Sequence, residues 1–105
     1  MTDPGIPTVD VHQVPSPIPE GVVVLDVREA HEWAAGHIDG ATHIPLGDLP
    51  ARVSELDPTQ RTLVVCHLGG RSARATHWLQ AQGHDASNVE GGMEAWESAG
   101  LPVVS

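Results

Sequence analysis

Apolar positions along the chain fall into two patterns. In the first they run without interruption: Val22-Val23-Val24-Leu25-Asp26-Val27 and Thr62-Leu63-Val64-Val65-Cys66. Runs this long, rich in β-branched residues and lacking alternation, are what strands buried on both faces require. Weaker stretches at residues 8–11, 41–44 and 86–89 predict further short strands. In the second pattern apolar residues recur every three or four positions. Ala30, Trp33 and Ala34 predict a helix stopped by Gly36 as a left-handed cap. Leu46, Leu49, Val53 and Leu56 share one helical face, with Asp48 and Pro50 suited to its first turn. Ala75, Trp78 and Leu79 predict a helix ended by Gly83. Met93 and Trp96 anchor a last one, closed by Gly100 and Pro102.

Strands alternating with helices predict an α/β fold, a mainly parallel sheet of about five strands with helices on both faces. The 105 residues suit one compact domain, taken as residues 1–105. The proline-rich piece Pro15-Ser16-Pro17-Ile18-Pro19 reads as an extended connection, too near the N-terminus to divide two domains. Aromatic content is three tryptophans, so valine, leucine and alanine must fill most of the core. Trp33, Trp78 and Trp96 are expected there or in pocket walls.

Fourteen acidic residues against five basic ones, all arginine, give a formal charge of −9. With no basic stretch, nucleic acid and anionic lipid are not expected partners. The opening Met1-Thr2-Asp3-Pro4-Gly5 lacks a signal-peptide pattern, and no apolar run approaches the roughly 18 residues of a membrane span. The expectation is a soluble, cytoplasmic protein without a membrane partner. One cysteine leaves no internal disulfide and no multi-cysteine zinc site. His31, His37 and His43 follow one another at intervals of six, not the helical spacing of a metal pair, so neither metal nor cofactor is expected. His37 is expected instead to fix the turn after Gly36.

In open α/β sheets ligands bind beyond the carboxyl ends of the strands. Two predicted strands end there in polar residues, one in Asp26-Val27-Arg28 and one in Cys66. After Cys66 come His67-Leu68-Gly69-Gly70-Arg71-Ser72 and then a helix. Glycines let backbone N–H groups turn inward as an anion-binding nest, and the helix adds the positive end of its dipole. A cysteine facing that ring is stabilised as a thiolate and becomes a nucleophile. An inert packed thiol is the plainer reading of a single cysteine, but loop, arginine and helix together favour reactivity. No Gly-Lys-Ser/Thr follows, so a nucleotide-binding P-loop is not indicated. Arg71 reads equally as an orienting group for an anionic donor or as an ion pair behind the loop. Ser72 either donates to the sulfur or caps the helix. Asp26 either tunes the site or, more simply, caps the helix beginning near Glu29. Arg28 and Glu32 are expected to form a supporting ion pair.

Three blocks, in order across residues 20–104, resemble the rhodanese-like domain family. They are Leu25-Asp26-Val27-Arg28-Glu29-Ala30-His31-Glu32-Trp33-Ala34-Ala35-Gly36-His37-Ile38-Asp39-Gly40-Ala41, running on to His43-Ile44-Pro45; Val65-Cys66-His67-Leu68-Gly69-Gly70-Arg71-Ser72; and Val89-Glu90-Gly91-Gly92-Met93-Glu94-Ala95-Trp96. The resemblance implies a single rhodanese-like domain. Cys66 would be its sulfur-carrying catalytic residue, residues 67–72 its substrate-binding loop, and Asp26 and Arg28 would support the site. Four residues separate Cys66 from Arg71, as in sulfur-transferring members, whereas related phosphatases and arsenate reductases have a wider loop. The implied activity is that of a thiosulfate sulfurtransferase. Sulfane sulfur would move from thiosulfate or a persulfide, through a Cys66 persulfide, to a thiol or cyanide. The implied partners are a small sulfur donor and, in one version, a protein acceptor. The alternatives are a sulfur-relay or regulatory binding module acting with a protein partner and, further off, a phosphatase or arsenate reductase relative.

Overall fold

A computed structural model describes residues 6–105; the opening segment, read above for a signal pattern, lies outside them. Strands β1 (Thr8–Val9), β2 (Val22–Asp26), β3 (Thr42–His43), β4 (Arg61–Val65) and β5 (Asp85–Val89) form one sheet in the order β1-β5-β4-β2-β3. Every pairing is parallel. Helices α1 (Ala30–Ala35), α2 (Leu49–Arg52) and α3 (Gly70–Ala81) lie in the crossovers and α4 (Gly92–Ser98) follows β5, with 3-10 turns at Val11–Gln13, Leu46–Asp48 and Val53–Glu55.

The uninterrupted apolar runs are explained by two cores, one on each face of the sheet. Leu63 and Val65 of β4 join Val24, Val89, Met93 and Trp96 in one cluster. Val64 and the following Cys66 join Leu25, Leu49, Ala75 and Leu79 in the other. Thus α4 covers one face and α2 with α3 the other. Alternate residues of β4 need different partners, yet all are apolar because neither face meets water. Trp96 is 1% exposed and its indole N–H donates to the Pro102 carbonyl at 2.9 Å.

Two expectations are corrected. Residues 46–56 are not one helix but a 3-10 turn, the single turn of α2 and a second 3-10 turn. Apolar spacing specified the buried side, where Leu49 and Leu56 lie, but not continuity. Pro50 has no N–H for a preceding carbonyl, and Arg52 leaves helical geometry at φ −116° and ψ 6°. Helix α1 buries none of its residues fully. Gly36 ends it at φ 156° and ψ 136°, an extended exit rather than a left-handed cap. That exit leads into a backbone bridge in which the His37 and Val104 N–H groups each donate to the other's carbonyl at 2.8 Å. His37 does fix this turn, with Nδ1 2.8 Å from the Trp33 carbonyl oxygen. The half-buried Trp33 indole is stacked by two imidazoles, His37 at 3.6 Å and His43 at 4.8 Å between ring centres. Trp78, also half-buried, packs against the second core.

Among the described residues no helix is long and apolar enough to cross a membrane. Because Trp96 fills the centre of one core, Trp96→Ala is expected to cost about 3–5 kcal/mol, read as a lower urea midpoint at unchanged slope.

Candidate active site

Cys66 lies at the carboxyl end of β4, the central strand, between the ends of β2 and β5. Its backbone is held from outside the strand. The Met93 N–H donates to the Cys66 carbonyl at 2.7 Å, and the Glu94 N–H to the His67 carbonyl at 3.0 Å. Both donors belong to the first turn of α4, where amides have no helical partner of their own. The close approach requires Gly92, which sits at φ 56°. A Cβ there would collide with the Cys66 carbonyl oxygen and lie 2.7 Å from that of His67.

The sulfur receives polar contacts from the loop. The Gly69 N–H donates to Sγ at 3.1 Å, and the Ser72 hydroxyl lies 3.2 Å away. Gly69, the N-cap of α3, adopts φ 112°. Gly70 has an ordinary φ and open space where a Cβ would be, so only the first glycine of the pair is demanded by backbone geometry. The sulfur therefore meets one amide and one hydroxyl at the positive end of the twelve-residue α3, rather than a ring of several amides. Cys66 is 1% exposed, its remaining side packed into the second core, while His67 and Leu68 face solvent.

Ser72 does not stand alone. Its hydroxyl is 2.6 Å from Asn88 Oδ1, and Asn88 Nδ2 is 3.4 Å from the Gly69 carbonyl. A carbonyl only accepts, which turns the amide nitrogen toward Gly69 and its oxygen toward Ser72. One hydroxyl proton therefore serves two acceptors. It lies toward Asn88 while the sulfur carries its own proton, and a thiolate must compete for it. Of the two roles expected for Ser72, contact with sulfur is the one observed. Asn88 was missed by sequence reasoning. Its signal was a polar residue inside the short β5 run, three positions before Gly91.

Charged residues pair differently from expectation. Arg28 does not pair with Glu32. Its guanidinium donates to both Asp26 oxygens, at 3.1 Å from Nε and 2.8 Å from Nη2, and to the Gly36 carbonyl at 2.7 Å. Asp26 is not a helix cap; it ends β2 and accepts the Arg28 N–H at 3.0 Å. Both residues are buried and tie the strand end to the far end of α1. Position favoured the nearer partner: Arg28 folds back two residues, leaving the Glu32 carboxylate to face α3. Glu32 forms a bidentate pair with Arg71, Nη1 to Oε1 at 2.7 Å and Nη2 to Oε2 at 2.9 Å, and accepts the Glu29 N–H at 3.0 Å. The Arg71 hydrogen bond outweighs desolvation and holds the Glu32 carboxyl at about 2. Arg71 is raised in turn by Glu32 first, and also by its proximity to Cys66 and Glu29.

Two expectations follow. Gly92→Ala is expected to destabilise by roughly 2 kcal/mol or more and Gly69→Ala by about 1–2, with Gly70→Ala neutral within about 0.5 kcal/mol, all read by denaturant titration. For Glu32, the unfolded chain binds a proton at higher pH than the folded one, so stability rises with pH across the window between the two values. Lowering pH from about 4.5 toward about 2 should remove the contribution of this pair, and Glu32→Gln should lack that limb of the stability–pH curve.

Comparison with known proteins agrees with this geometry. The family profile of the rhodanese-like domain matches residues 10–99. The chain is 41% identical over 83 residues to Bacillus subtilis YtwF, covering 79% of this chain and 81% of that protein. It is 40% identical over 80 residues to the thiosulfate sulfurtransferase GlpE of Pseudomonas entomophila, covering 75% and 73%. A rhodanese-related protein of Thermoplasma volcanium superposes with a TM-score of 0.87 at 33% identity, covering 93% of this chain and 97% of that one. A family profile spanning most of the chain, relatives matched along most of their length, and a lone cysteine at the end of the central strand lead to one conclusion: the chain belongs to the rhodanese-like domain family.

Proposed function

We propose that the protein is a sulfurtransferase in which Cys66 carries sulfur between a donor and an acceptor. The observation that carries this reading is the Cys66 sulfur, held at the carboxyl end of the central strand with the Gly69 N–H at 3.1 Å and the Ser72 hydroxyl at 3.2 Å. The name of the GlpE relative supports it.

The reaction has two steps. The Cys66 thiolate attacks the outer sulfur of thiosulfate or of a persulfide. The donor's S–S bond breaks and its electron pair leaves on sulfite or on a thiolate. Cys66 then holds a persulfide whose terminal sulfur is negative. The Gly69 N–H and Ser72 hydroxyl are preorganised donors for that charge. A thiol or cyanide attacks the terminal sulfur next, and the S–S bond pair returns to Cys66. No oxidant or reductant is consumed. Cys66 is nearly covered, so a donor presents only a narrow terminal atom, which suits sulfane sulfur better than a tetrahedral phosphate. His67, Leu68 and Gly70 form the exposed side of the loop, where the donor enters. Asp26 and Arg28 act at one remove, fixing α1 and with it Glu32.

A protein acceptor is the second version of this reading. Leu68 is 61% exposed at the loop tip, an apolar contact for a partner that brings its own thiol. A reducing cytoplasm, which keeps a lone thiol free, is the matching compartment.

With thiosulfate or cysteine persulfide as donor and cyanide as acceptor, the protein is expected to form thiocyanate and Cys66→Ala none. Ser72→Ala should lower kcat by about 10–100-fold. Equal turnover by Cys66→Ala would overturn the reading.

A further inference from the structure

The cysteine loop contains one permanently charged side chain, Arg71, and that charge is already matched. Both terminal nitrogens of its guanidinium are engaged by the two oxygens of Glu32. Only part of the pair meets solvent, with the Arg71 side chain 35% exposed and that of Glu32 22%. Glu29 adds a further negative charge to the field around Arg71. Neighbouring cations do not replace it. Arg28 is buried against Asp26, and Arg74, one turn further along α3, lines a separate groove with Leu46, Gly47 and Trp78.

This arrangement bears on the choice of donor. Thiosulfate brings two negative charges to a thiolate, so the reacting assembly carries three, and sulfite leaves with two. A persulfide of an organic thiol, reacting as R–S–SH, gathers only one. Cys66 attacks the outer sulfur, the S–S pair leaves on R–S⁻, and the proton passes to that thiolate, leaving the Cys66 persulfide negative. The first route gains most from an unmatched cation beside the sulfur, and a protein of formal charge −9 repels the dianion on approach. The second route needs none, and the exposed Leu68 gives its organic group an apolar surface.

Resting on the sulfurtransferase reading, we propose that Glu32 is a specificity-determining residue: by neutralising Arg71 it sets the site against dianionic thiosulfate and in favour of persulfides of small organic thiols. Glu32 touches neither donor nor sulfur; it acts through Arg71.

The test compares kcat/KM for thiosulfate and for cysteine persulfide in the full chain, with cyanide as acceptor, for the protein, Glu32→Gln and Glu29→Gln. The unaltered protein is expected to favour the persulfide by about tenfold or more, and its thiosulfate kcat/KM should rise with salt as repulsion is screened. Glu32→Gln should raise thiosulfate kcat/KM about tenfold, mainly through KM, and change the persulfide value less than about threefold. Glu29→Gln should shift the ratio the same way by a smaller factor, which decides the matter if Glu32→Gln does not fold. Preference for thiosulfate in the unaltered protein, or an unchanged donor ratio in the variants while Cys66 still loads, overturns this inference alone. Failure of both donors to load Cys66 overturns the sulfurtransferase reading and this inference with it.

Discussion

The cysteine loop depends on two main-chain hydrogen bonds, from the Met93 and Glu94 N–H groups to the Cys66 and His67 carbonyls. A loop at a strand end has carbonyls with no sheet partner, and a short helix has first-turn amides with no helical partner. Joining the two satisfies both at the edge of the core. It also fixes where the strand stops and the loop begins, so the sulfur, Gly69 and the start of α3 hold a constant relation. Gly92 permits this clamp, and Trp96, one turn along the same helix, anchors it in the first core. Thus the last helix of the chain, far from Cys66 in sequence, positions the reacting atom.

Around that clamp the charged residues form successive pairs rather than a free cationic site. Asp26 and Arg28 tie β2 to the end of α1. The helix so fixed presents Glu32 to Arg71 at the start of α3. The polar donors left for the sulfur are neutral, a main-chain N–H and a hydroxyl shared with Asn88. Neutral preorganised donors stabilise a small anion without attracting every anion in solution.

The parts of this arrangement legible in sequence were local. Unbroken apolar runs fixed β2 and β4 because both faces of the sheet are covered. The run from Cys66 to Ser72 announced a strand, a glycine turn and a helix in continuous order. Pairings across the fold were not legible. Arg28 and Glu32 are four apart, an ordinary spacing for an ion pair on one helix, but Arg28 precedes the helix and finds Asp26, while Glu32 finds Arg71 across the domain. Asn88 reaches Ser72 only because β5 lies beside β4, a fact of topology. The Gly69-Gly70 pair looked equivalent in sequence, and only the positive φ of Gly69 distinguishes them. Leu46 to Leu56 showed the right buried side but hid the breaks at Pro50 and Arg52, since periodicity reports a face and not hydrogen-bond continuity.

The central claim is that the loop holds the Cys66 sulfur so as to receive one more sulfur atom and stabilise its charge. The most direct measurement is a high-resolution crystal structure of the protein after exposure to a sulfane-sulfur donor. The expected result is a single additional atom bonded to Cys66 Sγ, within hydrogen-bonding distance of main-chain N–H groups of residues 67–72 and of the Ser72 hydroxyl. An unmodified Cys66 after exposure to every donor, or an added atom turned into the aliphatic core away from those donors, would contradict it.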